Sequence, residues 1–228
     1  MTTETIRDIR KRCRLAMNGI VSANMRQMGL DYKLNFGVSL ARIKEIAAHY
    51  SPDEILAKEL WKEDVRELKI LATILYPTDA FSKEMANVWV NDTPNQEIRE
   101  QLCLNLLQKL DFAIELAMEW SKSDIPRHRA TAYWLLSRLI ITKKIDNSIR
   151  FNTMPYLVED TYCDNISLRN AALLLLKNLG RTSPIQAHEI LEKLAGFEKS
   201  SCQLHREIYD SLKFEFEYYF NDNNNPAT

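Results

Sequence analysis

The amino-acid sequence predicts an all-α fold, and three features of it support this prediction. The 228-residue chain contains only 5 Gly and 7 Pro, the residues that interrupt helices most strongly. Apolar residues recur at helical spacing, whereas the strict alternation of a half-buried strand is nearly absent. An arginine-centred pattern also returns along the chain, which favours a repeat architecture.

The recurring pattern is clearest in residues 60–75, LWKEDVRELKILATIL, which we interpret as one amphipathic helix. An Arg follows one large residue and opens a mostly apolar run, and this arrangement returns four times. The five arginines are Arg66, Arg99, Arg129, Arg169 and Arg206, separated by 33, 30, 40 and 37 residues. Such a period is typical of a HEAT- or armadillo-like solenoid, an α-α superhelix of antiparallel helix pairs. An ordinary helical bundle with fortuitous arginine spacing is the alternative.

Helix boundaries are predicted from capping residues and helix breakers. Ser39 is expected to cap one helix, and Ser51 with Glu54 is expected to form a capping box around the next. Gly29 is expected to stop the first helix, and Gly180 to lie just past the end of a later one. The predicted helices are residues 4–28, 40–49, 52–60, 63–75, 82–90, 96–109, 112–120, 127–142, 155–162, 167–179, 184–195 and 201–220. Residues 1–220 are predicted to form a single domain, and residues 221–228 a disordered polar tail.

The formal net charge of −1 conceals an uneven distribution of charge. Residues 1–50 carry 9 Lys and Arg against 4 Asp and Glu, and residues 120–181 carry 10 against 5. The intervening residues 51–119 carry 7 against 14, and residues 182–228 carry 4 against 8. A curved solenoid could sort these blocks into a basic concave groove and an acidic back. Solvated outer faces without any partner are the alternative.

Several other kinds of chemistry have no support in the sequence. The four Cys form no CxxC, and the four His have no zinc-type spacing, so no metal site is expected. Glycine-rich phosphate loops and the GxSxG motif are missing, so no cofactor is expected. The first residues lack the apolar core of a signal peptide, and the longest apolar run, residues 171–176, is too short to cross a bilayer. We therefore expect a soluble, cytoplasmic protein with reduced thiols.

Three short stretches, in this order, resemble a known family. They are NFGVSLAR at residues 35–42, ELW at residues 59–61 with the following Arg66-Glu67, and WSKSD at residues 120–124 with the following Arg129-Ala130. The chain is similar in these stretches to the AlkD-like DNA alkylation repair proteins, which are built from HEAT-like repeats. The resemblance implies a concave face that holds duplex DNA and, in active members, excision of N3- or N7-alkylated purines.

The resemblance also implies where catalysis would reside. Active members stabilise the sugar cation with a carboxylate and nearby aromatic faces. The family's catalytic carboxylate falls on Glu100, its neighbouring Trp on Gln96, and a second Trp near Leu174, while its Arg is retained as Arg129. Because both aromatic faces are lost, the implied activity is that of a slow DNA glycosylase at most. A solvated first-turn glutamate is the alternative interpretation of Glu100.

The second basic block supplies the predicted contacts to DNA. They are Arg127, Arg129, Lys143, Lys144 and Arg169. For Arg129, an interhelical ion pair is the alternative to a phosphate contact. For the protein as a whole, the alternative is a non-catalytic helical-repeat scaffold that binds a protein partner. The four Trp are expected to lie in the core.

Overall fold

Side-chain caps and short links define the helices of this protein. The computed structural model describes residues 2–30, 32–145 and 149–223, so most of the predicted polar tail lies outside the described residues. The α-helices are α1 (Thr2–Leu15), α2 (Gly19–Gln27), α3 (Leu40–Ala47), α4 (Glu54–Lys62), α5 (Arg66–Leu75), α6 (Lys83–Asn91), α7 (Gln96–Asn105), α8 (Ala113–Trp120), α9 (Pro126–Ile141), α10 (Leu157–Asp160), α11 (Ile166–Gly180), α12 (Pro184–Lys193), α13 (Ala195–Glu198) and α14 (Gln203–Asn223). The chain divides into two compact units, Met1–Leu110 and Asp111–Thr228.

The first unit is organised around helix α5, which packs against α3, α4 and α7. Its aromatic core contains a parallel stack of Trp61 on Trp89, with ring centroids 4.0 Å apart. The Lys69 ammonium lies 4.7 Å from the centroid of the Trp61 ring and donates a hydrogen bond to the Trp61 carbonyl. The stack and the ammonium together join α4, α5 and α6 into one layered core.

The second unit is organised around the pair α9 and α11. Helix α8 packs on α9, and α12 and α14 pack on α11. Trp120 and Tyr133 are buried here, whereas Trp134 is half-buried. The core position predicted for all four Trp is therefore confirmed for Trp61, Trp89 and Trp120 and is wrong for Trp134.

Two predicted helices are in fact interrupted. The expected helix over residues 4–28 is divided into α1 and α2, because the Asn18 side chain accepts a hydrogen bond from the Val21 amide and caps a new helix. The expected helix over residues 60–75 breaks between α4 and α5. There Leu34 lies beside Val65, donates its amide hydrogen to the Asp64 carbonyl and accepts from the Arg66 amide. Glu63 and Val65 are extended here, and these backbone bonds hold the break in place, so the interpretation as one helix was wrong.

Two residues that were predicted to mark helix ends, Ser51 and Gly180, do not have the predicted roles. Asp53, not Ser51, caps α4 by accepting from the Leu56 amide. Gly180 is the last residue of α11 and lacks a positive φ. A Cβ at Gly180 would lie 2.2 Å from the Phe216 ring, so its small size serves helix packing. The predictions for Ser39, which caps α3, and for Gly29, whose φ is +79°, are confirmed.

Candidate nucleic-acid interface

A buried ionic network ties together two of the stretches singled out in the sequence. The Arg66 guanidinium is almost fully buried. It donates through Nε and Nη2 to Glu97, at 2.6–3.0 Å, and through Nη1 to the Val38 carbonyl at 2.7 Å. Glu67 is also fully buried and accepts from the backbone amides of Phe36 and Val38, both at 3.1 Å. The Arg66-Glu67 pair therefore fixes the irregular segment before α3.

Gly37 lies at the centre of that fixed segment. Its φ is +69°, in the left-handed region that glycine adopts most readily. A Cβ there would lie 2.2 Å from the Asn18 carbonyl oxygen and 2.7 Å from the Ser22 nitrogen. Only glycine fits this close approach, so packing requires the glycine of the NFGVS stretch.

Helix α7 carries two carboxylates near its start, and they have different surroundings. Glu97 accepts from Arg66 and from the Tyr32 hydroxyl at 2.6 Å. Burial and the bond to Glu97 raise the pKa of Tyr32, so the hydroxyl stays protonated and continues to donate. Glu97 is therefore part of the structural network.

Glu100, the predicted catalytic residue, lies one turn later and is half-buried. Its Oε1 accepts a hydrogen bond from Gln96 Nε2 at 2.7 Å. Burial raises the pKa of Glu100 above its usual value, Glu97 adds to that rise, and Gln96 and Arg99 oppose it. No salt bridge to Glu100 is present among the residues that the structure describes. A desolvated carboxylate of this kind can stabilise a developing cation.

The same arrangement limits what Glu100 can do. Gln96, which the resemblance aligns with a Trp of the AlkD-like proteins, donates its amide hydrogen to the carboxylate itself. The Gln96 amide therefore disperses carboxylate charge that would otherwise stabilise a cationic sugar, and Gln96 offers no aromatic face. Leu174, the position of the second expected Trp, is half-buried on α11 in the other unit. Glu100 is half-buried, so it lies between the solvated first-turn glutamate of the alternative interpretation and a fully desolvated carboxylate.

Arg129 is held by an ion pair within the second unit. It donates through Nε and Nη2 to Asp160, at 2.7 and 2.9 Å, and through Nη1 to the Ser123 carbonyl at 3.0 Å. Tyr133 donates to the same carboxylate at 2.7 Å, and the guanidinium carbon lies 4.6 Å from the Tyr156 ring centroid. All three guanidinium nitrogens are thus engaged, which favours the ion-pair interpretation over a phosphate contact.

The phased arginines share a structural task that explains their spacing. In Arg129, Arg169 and Arg206 alike, Nη1 donates to the backbone carbonyl six residues earlier, in the loop before the helix. Arg66 and Arg129 each pair with an acid 31 residues later in the chain, Glu97 and Asp160. These repeated contacts show that the spacing is not fortuitous. The separation of 31 residues holds for these two arginines only, since Ala130 and Ser200 stand 31 residues after Arg99 and Arg169, so the sequence did not identify Asp160.

The other predicted DNA contacts do not gather at one place. Arg127 is exposed in the first turn of α9, and Lys143 and Lys144 are exposed just beyond its end. A 16-residue helix separates them, which corresponds to about 24 Å. Arg169 is half-buried at the start of α11. Arg127 and the pair Lys143-Lys144 therefore lie at opposite ends of α9 and cannot meet at one point.

Neither a metal site nor a membrane-spanning helix is evident in the described part of the chain. No group of three or more His, Cys, Asp or Glu side chains among them is arranged to hold a metal ion. Of the helices in the described part of the chain, none has both the length and the apolar character needed to cross a bilayer.

Helix pairs tied by phased arginines define a HEAT-like helical-repeat protein. A solved structure with this fold supports the assignment, with a TM-score of 0.70 at 15% sequence identity over 91% of this chain and 93% of that one. It is described as "A new family of proteins related to the HEAT-like repeat DNA glycosylases with affinity for branched DNA structures".

The particular family follows from the sequence match. The family model of the DNA alkylation repair enzyme matches residues 15–204. This chain therefore belongs to the DNA alkylation repair enzyme family, as the three stretches predicted. No curated protein matches it.

Proposed function

We propose that this protein binds duplex DNA and that any excision of an N3- or N7-alkylated purine runs through Glu100. The observation that carries the proposal is the family match over residues 15–204, which includes the helices bearing Glu100, Arg127 and Arg169. The exposed cations of the second basic block supply contacts to phosphates, which make binding sequence-independent and salt-dependent.

The chemistry assigned to Glu100 is electrostatic. An alkylated purine already carries a positive charge and leaves readily, so the protein mainly has to stabilise the sugar cation that remains. Each missing aromatic face removes about 1–2 kcal/mol of such stabilisation in a desolvated site. With both missing, the deficit is about 2–4 kcal/mol, or roughly 30- to 1000-fold in rate. We therefore assign slow excision at most.

The excision test uses duplex DNA with a single 7-methylguanine, scored for abasic sites. Glu100→Gln should abolish whatever excision the wild-type protein has, and Gln96→Trp should raise it. Glu84→Gln is the matched control, since Glu84 is an exposed first-turn glutamate of α6, and it should leave the rate unchanged. Equal rates in wild type and Glu100→Gln would remove Glu100 from the mechanism.

The binding test measures fluorescence anisotropy of labelled duplex between 50 and 300 mM salt. With about four phosphates contacted by Arg127, Lys143, Lys144 and Arg169, log K should fall with log salt at a slope of about −3.6. A four-way junction is the second substrate, because affinity for branched DNA is attributed to the similar structure. Binding that is missing at low salt, or indifferent to salt, would favour the protein-scaffold alternative.

A further inference from the structure

The first helix carries the densest cluster of positive charge in the sequence, and the structure divides this cluster into two sets. Arg10 pairs with Glu63 at 2.6 Å and Arg12 pairs with Asp8 at 2.9 Å. The other three cations of α1 are exposed and form no ion pair with any residue that the structure describes. They are Arg7, Lys11 and Arg14.

The three remaining cations form a continuous row, which we name the α1 basic stripe. Their spacing of four and three residues places them on one face of the helix, over a length of about 10 Å. Ile9 and Cys13 on the opposite face are fully buried, so α1 is anchored by its apolar side. A groove of about 280 Å³ runs along the stripe and is bordered also by Arg10 and Leu15.

The charge of the stripe indicates the class of its partner. Like charges at i and i+4 of a helix repel one another. No acidic side chain among the described residues forms an ion pair with these three, and Asp8, whose pKa is lowered chiefly by Tyr50 and Arg12, interacts only weakly with Lys11. A polyanion bound along the stripe neutralises its positive charges and so removes the repulsion between them. Duplex DNA carries about six negative charges over a 10 Å length of its axis, which is ample for three cations.

A lipid surface fits the stripe less well. A helix that lies in a membrane interface buries an apolar face in the lipid. The apolar side of α1, Ile9 and Cys13, lies in the protein core, and Leu15 at its end is the one exposed large apolar side chain of this helix. The stripe also precedes residue 15, where the family match begins.

We propose that the α1 basic stripe is a further DNA-binding surface, which contacts backbone phosphates through Arg7, Lys11 and Arg14. The inference rests on the proposed function, since it requires that the protein bind DNA. It adds to that function a contact region in the first unit, where no DNA contact was predicted from the sequence.

The experiment removes the stripe's charge and measures the salt dependence of binding to duplex DNA. With the stripe's three contacts added to the four of the second basic block, the wild-type slope of log K against log salt should be about −6.3. In the triple variant Arg7→Gln/Lys11→Gln/Arg14→Gln it should become shallower by about 2.7, to about −3.6, because three phosphate contacts are lost. If the three contacts contribute nothing at 1 M salt, this change in slope corresponds to a loss of affinity of about 500-fold at 0.1 M salt.

The matched control removes the same charge elsewhere in the first unit. Lys33, Lys44 and Lys109 are exposed there, and the triple Lys→Gln variant at these positions should keep the wild-type slope. Far-UV circular dichroism checks that both variants are folded. An equal slope in the stripe and control variants would overturn the inference while leaving the proposed function standing.

Two further outcomes have distinct meanings. If the wild-type protein does not bind duplex DNA at 50 mM salt, both the proposed function and the inference fail. The second assay uses vesicles of phosphatidylcholine with phosphatidylserine. Vesicle binding that depends on the stripe, together with unaltered DNA binding by the stripe variant, would overturn the inference in favour of a membrane surface.

Discussion

The ion pair between Arg129 and Asp160 gives the sharpest test of how the repeats are held together. Asp160 accepts two bonds from the guanidinium, at 2.7 and 2.9 Å, and one from the Tyr133 hydroxyl at 2.7 Å. The side chains of Arg129 and Asp160 are only 10% and 4% exposed, so solvent screens the pair little. Asp160→Asn keeps the shape of the side chain but leaves a buried guanidinium without its counter-charge. Breaking a buried pair in this way costs about 3–5 kcal/mol.

Two companion variants separate the charge effect from other causes. Glu189→Gln breaks the Arg150–Glu189 pair, whose side chains are 44% and 40% exposed, and should lower the free energy of unfolding by no more than about 1 kcal/mol. The double variant Arg129→Met/Asp160→Leu should recover most of the stability lost in Asp160→Asn, because it replaces both charges with apolar groups.

The assay is urea unfolding at pH 7, followed by far-UV circular dichroism and analysed by linear extrapolation. A loss of less than about 1 kcal/mol in Asp160→Asn, equal to that of Glu189→Gln, would refute the reasoning. It would mean that the guanidinium finds other partners or water, and that the phased arginines do not act through their acids.

Three further predictions concern single positions. Gly37→Ala should lower the free energy of unfolding by at least about 1–2 kcal/mol, from the left-handed backbone alone, and by more because its Cβ would meet the Asn18 carbonyl; an unchanged urea midpoint would contradict this. Gly180→Ala should cost about 1–3 kcal/mol by overpacking against Phe216, and adding Phe216→Leu should restore part of the loss in the same urea titration. Because the pKa of Glu100 is raised, folding favours its protonated carboxyl over its carboxylate. The stability that protonated Glu100 adds to the folded state is complete below about pH 4 and is lost as the pH rises through the raised pKa. Glu100→Gln should therefore unfold at an equal or higher urea midpoint than wild type at pH 7, with the difference vanishing below about pH 4; a lower midpoint at pH 7 would show that the carboxylate is stabilised by its surroundings.

Local sequence was sufficient for the helical class and for the repeat. Scarce Gly and Pro, apolar runs at helical spacing and the phased arginines all act over a few residues or recur regularly, so they can be recognised without coordinates. The cap at Ser39 and the turn at Gly29 were predictable for the same reason. The family resemblance likewise depended on short local stretches.

Contacts between distant segments decided the rest. Leu34 breaks the helix at residues 63–65 through backbone bonds from a segment about thirty residues earlier, which no local pattern at Leu60 or Val65 reveals. Residues 7–14 carry five cations in sequence, but only Glu63, far along the chain, determines that Arg10 is paired. Local pattern therefore determined which residues are helical and which arginines are in phase. Tertiary structure decided whether each charge is buried with a partner or left on the surface, because an ion pair depends on distances that folding alone sets.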